Sequence, residues 1–277
     1  MKIHPTAVVH PETEIGEDVE IGPYVCIEGR ADIGQGTVIY AHAILSGTVR
    51  IGKGNTIGHG AIIGAYPQDL SFKPQTRSEV RIGDGNVIRE LSTIHRGTGE
   101  GTATVVGNDN FLMAGTHLAH NVQIGNNVII ANNSLLGGHV QIGDRAFLGG
   151  GSVYHQHVRI GLLALTQGLS AFSQDLPPYV IGAERNWVAG LNIVGMRRAG
   201  FSAELRKEVK TAFQLLYKSG LNLREAVEKA DEINWSPEVR LFFDFVKEAK
   251  KRGLVTWFGT RHGSARHDRT KDGGAED

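Results

Sequence analysis

Residues 15–27 read Ile15-Gly16-Glu17-Asp18-Val19-Glu20-Ile21-Gly22-Pro23-Tyr24-Val25-Cys26-Ile27, and the aliphatic residue that opens this stretch returns at every sixth position. The series continues through Ile33, Ile39, Leu45, Ile51, Ile57 and Ile63, and units led by Ile3 and Val9 carry it back to the N-terminus. After a break it resumes at Ile82, Ile88 and Ile94, then runs from Val106 through Leu112, Leu118, Ile124, Ile130, Leu136, Ile142, Leu148 and Tyr154 to Ile160. Small or β-branched residues often stand four places on, as at Val19, Val25, Thr37, Val122, Val128, Ser134 and Val140. A helix repeats near 3.6 residues and a strand near 2, so neither produces this period. A six-residue unit fits a short extended segment followed by a corner. The leading aliphatic points inward, and Gly, Asn or Asp is expected to take the unusual backbone angles at the corner. Coils of this kind pair their backbones in parallel and bury one continuous aliphatic column, which makes the fold mainly β, a parallel β-helix.

Two segments break the period, 65–79 and 97–104, and read as loops thrown out from the coils. Loops on a rigid scaffold often carry function. The repeat fades at Asp175-Leu176-Pro177-Pro178-Tyr179, and beyond it the pattern becomes helical. Ser202 is placed to cap a helix that Gly220 stops, and Asn222 to cap a second. Ser236-Pro237-Glu238 opens a third, with Gly253 as its expected stop. The expected division is a β-helix over 1–182, a helical segment over 183–258, and a disordered tail over 259–277 that is rich in Gly, His and charge.

With 277 residues the chain can hold one large domain or two small ones. No run of eighteen or more apolar residues occurs, and the N-terminal Met1-Lys2-Ile3-His4-Pro5 lacks the apolar core of a signal peptide, so a cytoplasmic protein is expected. Cys26 is the single cysteine, which excludes a disulfide or a cysteine-based zinc site within one chain. Formal charge is zero overall but uneven: 12 Lys+Arg against 16 Asp+Glu up to residue 195, then 17 against 13. A basic C-terminal part suits an acidic partner, although a solvated helix face gives the same imbalance.

Hexads over so long a span resemble the left-handed β-helix acyltransferases, which have three hexads per coil and work as homotrimers. Within that superfamily the ordered segments Gln68-Asp69-Leu70, Ile94-His95-Arg96-Gly97, His117-Leu118-Ala119-His120, Ala131-Asn132-Asn133, Gly138-His139-Val140, His155-Gln156, the run from Gln174 to Ile181, Asn192-Ile193, Gly195-Met196-Arg197-Arg198 and Gly200-Phe201-Ser202 are similar to those of the UDP-N-acetylglucosamine O-acyltransferases of lipid A biosynthesis. The likeness covers the chain to about residue 255. It implies transfer of a 3-hydroxyacyl group from acyl carrier protein to the 3-hydroxyl of UDP-N-acetylglucosamine, with neither cofactor nor metal.

Once a coil is eighteen residues long, His120, Gly138 and Gln156 fall on one prism edge, roughly 4.8 Å apart per coil. A hydroxyl attacking a thioester needs a base to take its proton, which suits histidine, and a donor for the carbonyl oxygen, which suits a backbone N–H beside glycine. The resemblance assigns these roles to His120 and the Gly138 amide. It places Asp69, His117, His139 and Gln156 around the sugar and acyl groups, and Asn192 and Arg198 toward the nucleotide. Gly168 matches a position where glycine leaves room for a long acyl chain. Taken singly, a histidine at a coil corner is more often a surface residue, Asp69 could merely cap a turn, and Arg197 and Arg198 could be ordinary solvated residues.

Three departures stand out. The residue after the base is usually Asp and is here Asn121. The lysine that commonly follows Gln-Asp-Leu is replaced by Ser71, with Lys73 two residues on as its possible substitute. A histidine expected near the acyl end has no counterpart around Asn186-Trp187. Two rival readings share these features. An acyltransferase acting on a 3-amino sugar nucleotide would carry nearly every motif. A γ-type carbonic anhydrase is also a left-handed β-helix with three zinc-binding histidines, but the His117-x-x-His120 spacing departs from its pattern. The N-acyltransferase of the same pathway carries an N-terminal nucleotide-binding domain, whereas hexads here begin at Ile3.

Overall fold

The leading aliphatic of each hexad turns inward, and a computed structural model describing residues 1–249 and 252–257 shows what those side chains build. Ile21, Ile27, Ile39, Leu45, Ile57, Ile63, Ile88, Ile94, Leu112, Leu118, Ile130 and Leu136 are each 3% exposed or less and form one continuous core. Each such side chain contributes about 1.5–3 kcal/mol on burial. The short strands around the core lie in three sheets of 12, 9 and 8 strands among the described residues, parallel throughout the coils. They make the three faces of a prism. The first face starts with Lys2–Ile3, the second with Val8–Val9 and the third with Glu14–Ile15. Register advances by eighteen residues per coil, as in His117 opposite Leu135 and Leu135 opposite Val153.

The corners differ from the expectation in an instructive way. Left-handed backbone angles occur at Gly36, Gly54 and Gly60, but also at Tyr24, His42, Leu91, Arg145, Leu163 and Leu169. An L-residue pays about 1–2 kcal/mol for that conformation. The corner demands it whatever the side chain, because the same residue's N–H then donates to a carbonyl of the preceding coil, as from His42 to Pro23 at 3.1 Å and from Leu91 to His59 at 3.0 Å. The glycine that directly follows a leading aliphatic serves another purpose. A Cβ on Gly34 would stand 2.5 Å from the carbonyl of Gly52 on the next coil, so glycine there permits close stacking.

Both loops leave the prism at the corner between the second and third faces. Ile62 pairs with Thr93 across the first loop, and Thr93 with His117 across the second. Both steps are longer than the regular step from His117 to Leu135, so each loop lengthens its coil; the first does so with a register shift between Ile63 and Ala65 at its root.

At the C-terminal end the strand Val180–Ala183 turns back antiparallel against Trp187–Leu191. A short helix α1 (Ile193–Arg198) follows, unforeseen in the sequence because it is less than two turns long. Helices α2 (Ala203–Lys218) and α3 (Leu223–Asp231) begin at Ser202 and Asn222, whose side chains accept the N–H groups of Leu205 and Glu225. Helix α4 (Pro237–Lys247) ends well before the expected stop at Gly253. Gly253 lies instead on a return segment: its carbonyl accepts the Asp175 N–H, and Thr256–Trp257 then pairs with Trp187–Val188. Arg159 ties the helices to the coils, donating to Asp175, Glu248 and the Phe245 carbonyl while stacking 4.3 Å over the Phe245 ring. Residues 259–277, where a disordered tail was expected, lie outside the described residues.

Candidate active site

The corner from which both loops depart also carries His120, Gly138 and Gln156 on successive coils. Backbone bonds fix the stacking: the His139 N–H donates to the His120 carbonyl at 3.0 Å and the His157 N–H to the Gly138 carbonyl at 2.9 Å. Gly138 lies flat against the His120 ring. A Cβ on it would stand 2.4 Å from Cε1 and 2.5 Å from Nε2 of the imidazole.

Hydrogen bonding assigns the His120 tautomer. Nδ1 lies 3.0 Å from Oδ1 of Asn121. That oxygen also receives the Thr98 backbone N–H at 3.1 Å and the Thr98 hydroxyl at 3.0 Å. A backbone N–H can only donate, so the atom facing Nδ1 is the amide oxygen and Nδ1 carries the proton. Nε2, on the side toward Gly138, is left with a free lone pair. Asn121 itself sits at φ 60°, its N–H bonded to the Thr104 hydroxyl at 2.8 Å. The left-handed corner and the Thr98 loop together aim the amide.

Four other histidines cluster around this base. His139 meets His120 edge-on at 5.2 Å and stacks on His157 at 4.5 Å. Burial first, then His157 and His120, hold His139 below the usual histidine range. His117 is bonded through Nδ1 to the Thr93 hydroxyl at 2.7 Å, and burial lowers it too. His95, 7% exposed, meets His117 edge-on at 4.8 Å. Burial, then His117 and His120, push it down to about 4, so it stays neutral at physiological pH. Protonating one imidazole therefore discourages protonation of the next.

Asp69 does cap a turn, accepting the Ser71 N–H at 2.8 Å and its hydroxyl at 2.7 Å. Those bonds, the hydroxyl first, lower its carboxyl, with a smaller contribution from His120. Lys73 is exposed in the same loop without an ion pair among the described residues, and Gln156 is exposed at its corner. The structure thus gathers His120, Gly138, His139 and His117, with Gln156 one coil beyond Gly138 and Asp69 in the loop that leaves the same corner.

The remaining expected residues lie elsewhere. Asn192 and Arg198 stand beyond the last coil. The Asn192 amide is 8% exposed and occupied at both ends, accepting the Gly195 N–H at 2.9 Å and donating to the Leu163 carbonyl at 2.8 Å, so its observed work is capping α1. Arg198 is exposed. Gly168 lies on a different edge, between the first and second faces, where a Cβ would come 3.2 Å from the Gly150 carbonyl. Sequence reading missed Thr93 and Thr98. The loops lengthen their coils, so a count of eighteen does not bring either threonine to its partner. His95 and Arg96 were visible as a motif but had no role.

Residues 175–255 match the family model described as UDP N-acetylglucosamine O-acyltransferase, domain 2, and residues 103–138 match the bacterial transferase hexapeptide model. A relative from Trichlorobacter lovleyi, an acyl-(acyl-carrier-protein)–UDP-N-acetylglucosamine O-acyltransferase, is 53% identical over 260 residues, covering 92% of this chain and 99% of its own. The chain belongs to the UDP-N-acetylglucosamine O-acyltransferase family. A family member from Sulfurihydrogenibium sp. is 55% identical over 259 residues, covering 92% of this chain and 94% of its own. The UDP-N-acetylglucosamine acyltransferase of Bacteroides fragilis superposes with a TM-score of 0.85 at 43% identity, over 91% of this chain and 99% of that one. Membership in this family makes the prism a left-handed parallel β-helix with a helical C-terminus, and it sets aside the carbonic anhydrase reading of the three histidines.

Asn121 offers a test within this corner. Asn121→Asp should move the acidic limb of the kcat/KM pH profile upward. The added negative charge beside Nδ1 favours the imidazolium, so a higher pH is needed to free the base. Asn121→Ala should cost much less than loss of His120. An unmoved limb in the Asp variant would mean that Asn121 does not face the titrating base.

Proposed function

We propose that this chain transfers a 3-hydroxyacyl group from the thioester of an acyl carrier protein to the 3-hydroxyl of UDP-N-acetylglucosamine, the first step of lipid A biosynthesis. The observation that carries the mechanism is the His120 ring, its Nδ1 proton held by Asn121 and its Nε2 lone pair exposed beside Gly138. Nε2 takes the proton of the sugar hydroxyl as its oxygen attacks the thioester carbonyl. The Gly138 N–H donates to the oxygen that gains charge. When the C–S bond breaks, the imidazolium returns its proton to the departing thiolate, leaving an ester and a free thiol.

Asp69, Lys73, His117, His139 and Gln156 bind around the sugar and acyl groups, and Arg198 meets the nucleotide, where a guanidinium suits phosphate. Asn192 serves there by setting α1, which presents Arg198. Arg198, Lys207 and Lys210 are exposed on the helical end and suit an acidic carrier protein, whereas Arg206 is engaged with the Phe201 carbonyl. Gly168 leaves the acyl channel open for a long chain.

The working unit is a homotrimer. Its support is the outer surface of the prism. The first face presents Val38, Val87, Phe111, Ile129, Phe147 and Leu165, half-buried, and the second presents Leu135 and Val153 at 45% and 41% exposure. The third presents a charged ladder of Asp32, Arg50, Glu79 and Arg81. Packing apolar faces of neighbouring copies together would also wall a corner that is convex in one chain. No helix among the described residues is long and apolar enough to cross a membrane, which accords with the cytoplasm as its place of work.

Incubation with UDP-N-acetylglucosamine and carrier proteins loaded with 3-hydroxyacyl chains of graded length should give a nucleotide product heavier by one long acyl group. Hydroxylamine should release that group, since it cleaves the ester and spares the amide that a 3-amino acceptor would give. No product with any chain length would defeat the proposal. A hydroxylamine-resistant product formed only from a 3-amino sugar nucleotide would favour the rival substrate.

A further inference from the structure

The Ile94-His95-Arg96-Gly97 motif leaves one residue without a role in the chemistry above. Arg96 is 7% exposed, yet it forms no ion pair among the described residues, and its buried Nε has no acceptor. Its guanidinium lies 4.8 Å from the ring centre of Tyr66 and 5.4 Å from that of Phe72. Nη2 donates to the Pro74 carbonyl at 3.2 Å, and the backbone N–H donates to the Ala65 carbonyl at 3.2 Å. Room for the guanidinium comes from Gly47 on an earlier coil, where a Cβ would stand 2.3 Å from Nη1. Tyr66 precedes Asp69 in the first loop, and Phe72 and Pro74 follow it. One side chain, rooted just past the strand Thr93–His95, therefore grips the loop on both sides of Asp69. The second loop clasps the far end: Glu100 accepts the Arg77 N–H at 3.0 Å, and the Gly101 N–H donates to the Arg77 carbonyl at 2.8 Å.

A buried cation without a carboxylate is a poor way to gain stability, since an apolar side chain of similar volume would fill the space without desolvating a charge. A planar guanidinium can, however, stack on two rings and still donate in its own plane, which an ammonium cannot. The arrangement fixes position. We propose that Arg96 is a positioning residue that latches the 66–78 loop, and with it Asp69, against the His120 corner; this rests on the reading of Asp69 as a sugar-binding residue.

Arg96→Lys and Arg96→Met separate this role from mere stability. In the substrate-free protein, amide hydrogen exchange should accelerate across 66–78 while the coil strands remain protected. The KM for UDP-N-acetylglucosamine should rise by about tenfold, in line with loss of a desolvated cation–π contact, with kcat changed less. In an Asp69→Asn background the further rise from Arg96→Lys should be less than about twofold, because the two residues act through one loop. The proposal is overturned by an unchanged KM, by effects that multiply in the double variant, or by faster exchange throughout the coils. Normal KM in Asp69→Asn alone would instead overturn the sugar-binding reading and the purpose of the latch with it. Unchanged exchange across 66–78 would remove the latch and leave that reading standing.

Discussion

His120→Ala should lower kcat by about 10²–10⁴-fold while UDP-N-acetylglucosamine still binds with nearly native affinity. The expectation follows from which nitrogen is free. The Thr98 N–H fixes the Asn121 oxygen, that oxygen fixes the proton on Nδ1, and Nε2 is left as the acceptor. No neighbour can substitute without rearrangement. His117 is bonded to Thr93, and His95 is sealed in the core with its Nδ1 unpartnered. His139 stacks on His157. Removing the base should act on the chemical step, so single-turnover rates should fall as steeply as kcat. Calorimetry with the nucleotide sugar should return a dissociation constant within a few-fold of the parent. An alanine variant that turns over normally would make His120 an ordinary corner residue and end the mechanism.

Gly138→Ala should cost about 10²-fold or more in kcat, through displacement of the base and obstruction of the oxyanion donor. The added methyl would fall 2.4–2.5 Å from the far side of the imidazole, a separation that real Cβ atoms do not tolerate. The ring is the softer partner, so it must swing away and loosen its hold on Asn121. The backbone of Gly138 is not left-handed, so alanine is sterically permitted there and folding should be retained. Gly190→Ala, where a Cβ meets nothing within 4 Å, serves as the control and should be silent. Circular dichroism melts should place the Gly138 variant close to the parent. A variant that melts normally and keeps its full rate would show that neither the ring position nor the donor matters.

The hexads made the prism legible because one aliphatic at every sixth place is a one-dimensional signal, set by a coil that repeats itself. That same arithmetic stacked His120, Gly138 and Gln156, since no insertion separates their coils. It failed where the coils are unequal. The two loop insertions bring Thr93 to His117 and Thr98 to Asn121 across separations that a coil of eighteen residues does not foretell. The caps of α2 and α3 were readable from Ser202 and Asn222, because capping is a local contact between a side chain and an N–H three residues on. The end of α4 was not, because Gly253 answers to a distant partner, the Asp175 N–H.

The sequence by itself therefore determined the repeating coil, the capped starts of α2 and α3, and the column that carries the proposed base and oxyanion donor. These depend on spacing along the chain and on side chains that must be buried wherever the coil goes. Only the tertiary structure decided which nitrogen of His120 is free, which histidines burial holds below their usual range, that Asn192 is committed to a helix cap, and that Arg96 grips the loop bearing Asp69. Each of those depends on groups far apart in the chain being brought into contact. A hydrogen bond or a buried charge takes its meaning from what lies across the gap.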